Sequence, residues 1–340
     1  MTNENTLTKE KIIELIKKIY DIDIYQVLKI NRGSANIYSL NNNKYILKEF
    51  QEKYKQEDID KEVHIINHLK KDGIKVPDYI KTKKNNYSFI YKERVIVLEK
   101  YIDGYTKKSN TGSYKQILES AEYLGKIINS LQNLDIELSN INLSNWYSKE
   151  QVIKGIKKHK ELLKNSCINN NPKILKDIED KISMLEYIKD KYSFDGIDKL
   201  TIMNTHGDYS VLQFIYKNEK VNAIIDFVSA SKNIVVWELI RSYSYIDPAS
   251  QNGKINIKNL INYTKTLTNY VKLNTYDLKL MPYIYLVQLL TSTYGYKEYA
   301  TNGNIELLNF AHFRTNLCRF LFKESNNIST SLLREIPHND

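Results

Sequence analysis

The spacing of apolar residues along the chain changes character twice. Residues 9–19 carry Ile12, Ile13, Leu15, Ile16 and Ile19 at helical intervals, which predicts an amphipathic helix. From residue 25 to 50 the apolar positions fall in short runs rich in Ile, Leu and Tyr. Asn31-Arg32-Gly33-Ser34 and Asn41-Asn42-Asn43 interrupt these runs as turns, predicting antiparallel strands at 25–30, 35–40 and 44–50. A helix follows at 56–71, then Gly73 and Pro77, then strands at 87–91 and 94–101 about the turn Lys92-Glu93. Beyond Asp103-Gly104 the helical period takes over, with helices predicted at 116–133, 149–165, 174–192, 235–245, 257–273, 276–295 and 305–324. One interruption stands out: two apolar runs, 211–216 and 221–227, flank the turn Asn218-Glu219 and predict a β-hairpin inside the helical region. The expected organisation is an α+β protein with a sheet-rich part at 1–100 and a larger helical part at 101–340.

Composition narrows the classes. The chain has 340 residues, 42% hydrophobic and 26% charged, which is too apolar for a disordered chain and long enough for two domains. The most apolar stretch, residues 281–290, is broken by Gln288 and falls well short of the roughly 18 residues of a membrane span. The polar and then amphipathic start has no signal-peptide core, so a soluble cytoplasmic protein with no membrane partner is expected. Two cysteines, Cys167 and Cys318, support neither a disulfide framework nor a four-ligand zinc site. The net charge of +10 invites a nucleic-acid reading, but the lysines are spread over the whole chain on helical faces, and no nucleic-acid partner is expected. The histidines His64, His68, His159 and His312 show no ligand-like clustering and read as surface or packing residues.

The informative segment is Thr205-His206-Gly207-Asp208-Tyr209-Ser210-Val211-Leu212-Gln213, followed by Ile224-Ile225-Asp226-Phe227. Asp208 precedes one strand of the predicted hairpin, Gln213 follows five residues later, and Asp226 ends the other strand. A hairpin brings its outer ends together, so two carboxylates and an amide converge there. Oxygen ligands for Mg²⁺ beside an acid that orients a hydroxyl are what phosphoryl transfer from a nucleotide needs.

His206, Gly207, Asp208 and Gln213 resemble the His-Gly-Asp-x-x-x-x-Asn loop of the aminoglycoside phosphotransferase and choline kinase family. Ile225-Asp226-Phe227 resembles that family's metal-binding strand, and Glu238-Leu239-Ile240 its Asp-Leu-Ala. The resemblance runs from about residue 30 to 245. It implies a bilobal protein-kinase-like fold, with the five-stranded antiparallel sheet and one helix binding the nucleotide and the helical lobe carrying the catalytic hairpin. It further implies ATP or GTP as phosphate donor, Mg²⁺ as cofactor, and a small molecule bearing a hydroxyl as the second partner. By the same resemblance Asp208 is the catalytic base, and Gln213 and Asp226 hold the metal. Lys48 on the third strand meets the phosphates and is held by Glu62 on the next helix. Ser34 lies in the nucleotide-covering turn, and Glu99 and Tyr101 lie in an adenine-binding hinge. The acceptor is expected in the helical lobe, after Gly104 and around residues 238–247.

The chain departs from the family pattern in two places: Gln213 stands for Asn, and residues 228–235 lack Gly-Asp-Pro. Gln213, together with a nucleotide-covering turn that keeps only Gly33, leaves a second reading, a non-catalytic kinase-like binding or spore-coat structural protein.

Overall fold

A computed structural model of the protein describes residues 7–30 and 35–338. In chain order its elements begin with α1 (Lys9–Tyr20), β1 (Val27–Ile30), β2 (Asn36–Leu40), β3 (Tyr45–Glu49), α2 (Gln56–Lys71), β4 (Ser88–Tyr91) and β5 (Arg94–Lys100). They continue with α3 (Tyr114–Leu131), α4 (Lys149–Leu162), α5 (Ser166–Asn169), α6 (Pro172–Lys191), β6 (Ile202–Thr205), β7 (Phe214–Lys217), β8 (Lys220–Ile224) and β9 (Ser231–Ile234). The last are α7 (Val235–Ile246), α8 (Ile257–Thr268), α9 (Thr275–Thr291), α10 (Tyr296–Asn302) and α11 (Ile305–Glu335). The chain divides into two compact units: residues up to Thr106 with Asn133–Ile136 and Gln213–Ala230, and the remainder. The β7–β8 hairpin, expected with the helical region, therefore belongs to the unit that holds the N-terminal sheet.

In the first unit, five strands form one antiparallel sheet in the order β1-β2-β3-β5-β4. Its tight turns use residues that tolerate a left-handed backbone. Asn41, Asn42 and Asn43 take φ of 51, 54 and 62°, and Lys92 and Glu93 take 45 and 64°, both positive as a two-residue hairpin requires. α1 starts at Thr8, whose hydroxyl accepts the Lys11 N–H, and stops at Asp21 in the left-handed region. Its Ile12, Leu15 and Ile16 pack with Val27, Leu40, Leu47, Ile96 and Leu98. The opposite face of the sheet presents Val95 and Val97, which pack with Phe50 and with Ile59 and Val63 of α2. β5 thus has both faces covered, which is why it reads as an unbroken apolar run. The alternation also decides a functional point: Leu47 faces α1, so Lys48 faces α2.

Asp103-Gly104 marks a close approach. Gly104 has φ 147°, and a Cβ there would lie 2.4 Å from the Tyr216 carbonyl oxygen, so only glycine fits. Next to it Tyr105 and Tyr216 exchange main-chain hydrogen bonds of 2.9 and 2.7 Å.

The second unit is built from helices. α9 is buried around much of its circumference, packs against α11, α7 and α4, and opens with a reciprocal Asn274–Asp277 cap. A short ribbon, β6 paired antiparallel with β9, matches Thr205 with Ser231 and leads directly into α7. Among the described residues no helix is long and apolar enough to cross a membrane.

Candidate active site

In the first unit, β3 is the central strand and carries Lys48 on the face toward α2. The register sets Val97 opposite Lys48 and Glu99 opposite Ile46, so Glu99 lies diagonal to Lys48 on the same face. Lys48 Nζ sits 2.7 Å from Glu99 Oε1, with both side chains almost fully buried. The ion pair that Lys48 makes is therefore with Glu99 and not, as the sequence suggests, with Glu62. Glu62, 1% exposed on α2, instead accepts the Phe227 N–H at 2.9 Å through Oε1. Burial works against the charge of Lys48, but Glu99, then Glu62 and Asp226, outweigh it and hold the ammonium's pKa above its usual range. Burial, reinforced by Asp226 and Glu99 and opposed by Lys48, pushes the Glu62 carboxyl up to about 7. Tyr79, which no motif singles out, is partly buried with its hydroxyl out of solvent; burial and the Glu62 and Glu99 carboxylates raise its phenol well above its ordinary value.

The hinge expectation changes in detail. Glu99 lies inside β5, paired with Ile46 on one side and bridged to Tyr79 on the other, so its main chain is engaged in the sheet. Its side chain is the part that serves the site. The Tyr101 N–H donates to the Lys44 carbonyl at 3.1 Å, which engages that donor too. Ser34 lies outside the described residues.

The hairpin carries the two expected metal ligands at its open end. Its turn, Asn218-Glu219, has φ of 51 and 59°, and Phe214 pairs with Ile224. The strands are shorter than the apolar runs, because Val211–Gln213 and Phe227–Ser229 each form a single 3-10 turn. The Ile225 N–H donates to the Gln213 carbonyl at 3.0 Å, so Gln213 and Asp226 leave the hairpin one residue apart in register. Asp226 takes φ 72° and ψ 58°, a left-handed conformation that aspartate tolerates better than most residues. The fully buried Phe227 ring and its N–H bond to Glu62 hold this turn.

Among the described residues no group of three or more His, Cys, Asp and Glu side chains is placed to hold a metal. What the hairpin offers is an oxygen pair, a carboxylate and a side-chain amide. That donor set fits Mg²⁺, which takes one or two protein oxygens and completes its shell from phosphate and water.

In the second unit, the chain leaves β6 at Thr205 and turns through Gly207 at φ 80°, a conformation open to glycine. His206 is fully buried, packs edge-on against the Tyr209 ring and accepts the Asp208 N–H through Nδ1 at 3.4 Å. α7 grips the same loop. Glu238 Oε1 accepts the Tyr209 N–H at 3.0 Å, and Arg241, one turn on, donates through Nη1 to the Tyr209 carbonyl at 3.0 Å and through Nη2 to Asp208 Oδ1. Burial opposes the guanidinium's charge, but Asp208 chiefly, with Tyr245, Tyr285 and Glu238, raises its pKa. No sequence pattern singles out Arg241, which meets residues more than thirty positions away through the packing of α7 on the loop. Asp247, at the end of the region expected to meet the acceptor, is buried and accepts from the Tyr243 hydroxyl at 2.8 Å and the Asn256 N–H at 3.4 Å. Its carboxylate is used within the fold.

The sequence matches the model of the phosphotransferase enzyme family over residues 27–258, well over half of the chain. The chain belongs to that family. It is a small-molecule kinase of the kind that phosphorylates hydroxyl groups.

Solved structures agree on the fold. A spectinomycin phosphotransferase in complex with ADP and spectinomycin is 18% identical, with a TM-score of 0.61 over 96% of this chain and 100% of its own. An aminoglycoside phosphotransferase from Alicyclobacillus acidocaldarius is 11% identical, with a TM-score of 0.63 over 98% of both chains. A microcompartment-associated aminopropanol kinase is 12% identical, with a TM-score of 0.62 over 96% of this chain and 99% of its own. At such identities the likeness is one of fold. Among proteins with curated descriptions, none matches the sequence significantly.

Proposed function

We propose that the phosphotransferase moves the γ-phosphoryl group of ATP or GTP to a hydroxyl of a small molecule in a Mg²⁺-dependent reaction. Asp208 accepts a hydrogen bond from the acceptor hydroxyl and takes its proton as the oxygen–phosphorus bond forms. The bond between the γ-phosphorus and the bridging oxygen breaks, and the nucleoside diphosphate leaves with that oxygen's electrons. Lys48 meets the phosphates, held in place by Glu99 and kept charged by Glu99 and the field of Glu62. Asp226 and Gln213 would hold Mg²⁺, which when bound would neutralise phosphate charge.

The observation that carries this reading is Lys48: a nearly buried ammonium on the central strand, paired with Glu99 at 2.7 Å and kept charged also by the field of Glu62 and Asp226. A packing role does not require a buried cation with acids around it, whereas a phosphate would meet the ammonium and a divalent cation would offset the carboxylate charge.

The test is nucleotide-dependent melting with ATP and with GTP, each with and without Mg²⁺. Nucleoside diphosphate release is then measured over a panel of spectinomycin, an aminoglycoside mixture and aminopropanol, chosen from what the structural relatives bind or act on. Metal-dependent stabilisation by nucleotide is expected, together with acceptor-dependent turnover that Asp208→Asn lowers by roughly 10²–10⁴-fold. Stabilisation independent of metal, with no turnover on any acceptor or on water, would overturn the reading.

A further inference from the structure

We infer that Arg241 is the positioning residue of the transfer reaction, fixing the orientation of the Asp208 carboxylate that meets the acceptor hydroxyl. The inference rests on the reading of Asp208 as the base and adds a residue to it.

Arg241 projects from α7 with its guanidinium 5.6 Å from the Trp237 ring and 5.1 Å from the Tyr245 ring, a seat that fixes the plane of the group. From that seat its two terminal nitrogens point in set directions, Nη2 to Asp208 Oδ1 and Nη1 to the Tyr209 carbonyl at 3.0 Å. Glu238 takes the N–H of the same residue at 3.0 Å. The peptide units on both sides of Tyr209 are therefore tied to a single face of α7, and the carboxylate just before them is tied to the same arginine.

A free Asp side chain rotates about two bonds, and only some orientations present an oxygen to an incoming hydroxyl. A planar fork that fixes both the carboxylate and the following carbonyl removes that freedom before the acceptor arrives. In a loose phosphoryl-transfer transition state, orienting the hydroxyl matters more than removing its proton early. A lysine would supply the charge but not the fork, because a single ammonium does not reproduce two divergent N–H directions from a stacked plane.

The experiment compares Arg241→Ala, Arg241→Lys and Asp208→Asn with the parent. Each is assayed for phosphate release from MgATP with water as acceptor, and with any acceptor from the panel above, with and without tens of millimolar guanidinium ion. Melting temperature and MgATP affinity are measured alongside. Arg241→Ala should lose roughly 10–10²-fold in kcat, keep MgATP affinity within about threefold, and recover part of the loss with guanidinium. Neither Asp208→Asn nor Arg241→Lys should recover. Arg241→Lys should stay folded with kcat well below the parent, which keeps the test sound should the alanine variant unfold.

If Asp208→Asn is impaired while Arg241→Ala or Arg241→Lys turns over like the parent, the positioning role is overturned and the base assignment stands. If Arg241→Ala loses nucleotide affinity in step with kcat and guanidinium restores nothing, the arginine is structural. If Asp208→Asn turns over like the parent, the base assignment fails and the role of Arg241 fails with it.

Discussion

Glu62 on α2 accepts the Phe227 N–H at 2.9 Å, so a helix that crosses the back of the N-terminal sheet fixes the main chain one residue beyond Asp226. The sequence pattern casts this glutamate as the partner of Lys48, yet its hydrogen bond goes to the segment that carries the acid. The buried carboxylate, pushed up to about 7, does not need its charge to make that bond.

The two roles separate under substitution. Glu62→Gln keeps an oxygen that accepts the Phe227 N–H and removes only the charge, so it should retain activity within about tenfold. Glu62→Ala leaves the buried N–H unpaired and should cost about 1–3 kcal/mol of stability, with a larger loss of turnover. Denaturant unfolding and steady-state kinetics on both variants decide it. Equal damage from Gln and Ala would show that the charge and not the bond is what matters.

Lys48 and Glu99 should show the stronger coupling. A double-mutant cycle on Lys48→Met and Glu99→Gln, read as MgATP affinity, should give an interaction of about 1 kcal/mol or more. The same cycle on Lys48→Met and Glu62→Gln should give under about half that. The basis is geometric: Glu99 lies 2.7 Å from the ammonium, while Glu62 acts on it only through its field. The reverse order of couplings would return Glu62 to the role of direct partner.

The reasons this partner was not legible in the sequence are physical. Which face of β3 carries Lys48 follows from alternation alone, but the acid that meets it depends on the pairing of β3 with β5, across some fifty residues of chain. The same limit hid β6 and β9. Ser231-Lys232-Asn233-Ile234 has little strand preference of its own and forms a strand only because Thr205 and its neighbours lie alongside. Local signals served well where local physics decides. The Asn41-Asn42-Asn43, Lys92-Glu93 and Asn218-Glu219 turns, with their left-handed backbones, lie where their residue types indicate. α11 exceeds its expected end at residue 324 and runs to Glu335. The polar stretch after it keeps Ile328 and Leu332 buried at helical spacing, and Ser325 and Ser329 bond to the carbonyls of Leu321 and Lys279. Of the candidate site, His206, Gly207, Asp208 and Asp226 stand out in the sequence because they lie in two short motifs. Arg241 and Tyr79 enter only through tertiary packing.

Stability should fall on mild acidification because of His159. The ring is fully buried on α4, with Nδ1 donating to the Gly155 carbonyl at 2.8 Å, and burial, aided by Lys181, drives its pKa from 6.5 to about 3. The folded protein therefore keeps the ring neutral. Below about pH 6.5 the unfolded chain takes up a proton that the folded chain refuses, so stability drops as pH falls, by about 1.4 kcal/mol per pH unit at most for this one group. Between pH 7 and pH 5 the parent should lose about 2 kcal/mol more than His159→Gln, which retains a donor for Gly155 and does not titrate. Parallel losses in urea unfolding at the two pH values would show that the ring is not held neutral.

Gln213 is where the chain breaks its family's pattern, and the hairpin makes the break testable. Its carbonyl accepts the Ile225 N–H, a main-chain bond that does not involve the side chain, so changing the side chain should not unfold the site. If the amide oxygen is a ligand of Mg²⁺, Gln213→Ala should raise the Mg²⁺ concentration needed for half-maximal turnover and lower kcat, with melting temperature unchanged. Gln213→Asn brings back the family's residue but shortens the reach by one methylene from a backbone that is already fixed. Octahedral Mg²⁺ at short metal–oxygen distances tolerates little displacement, so Asn should fall between Ala and the parent. Were Asn to exceed the parent several-fold, Gln213 would mark a kinase losing its metal and moving toward binding alone. Were Ala to match the parent in both kcat and Mg²⁺ dependence, the protein's hold on the metal would reduce to Asp226, with the nucleotide's own phosphates supplying the rest of the shell.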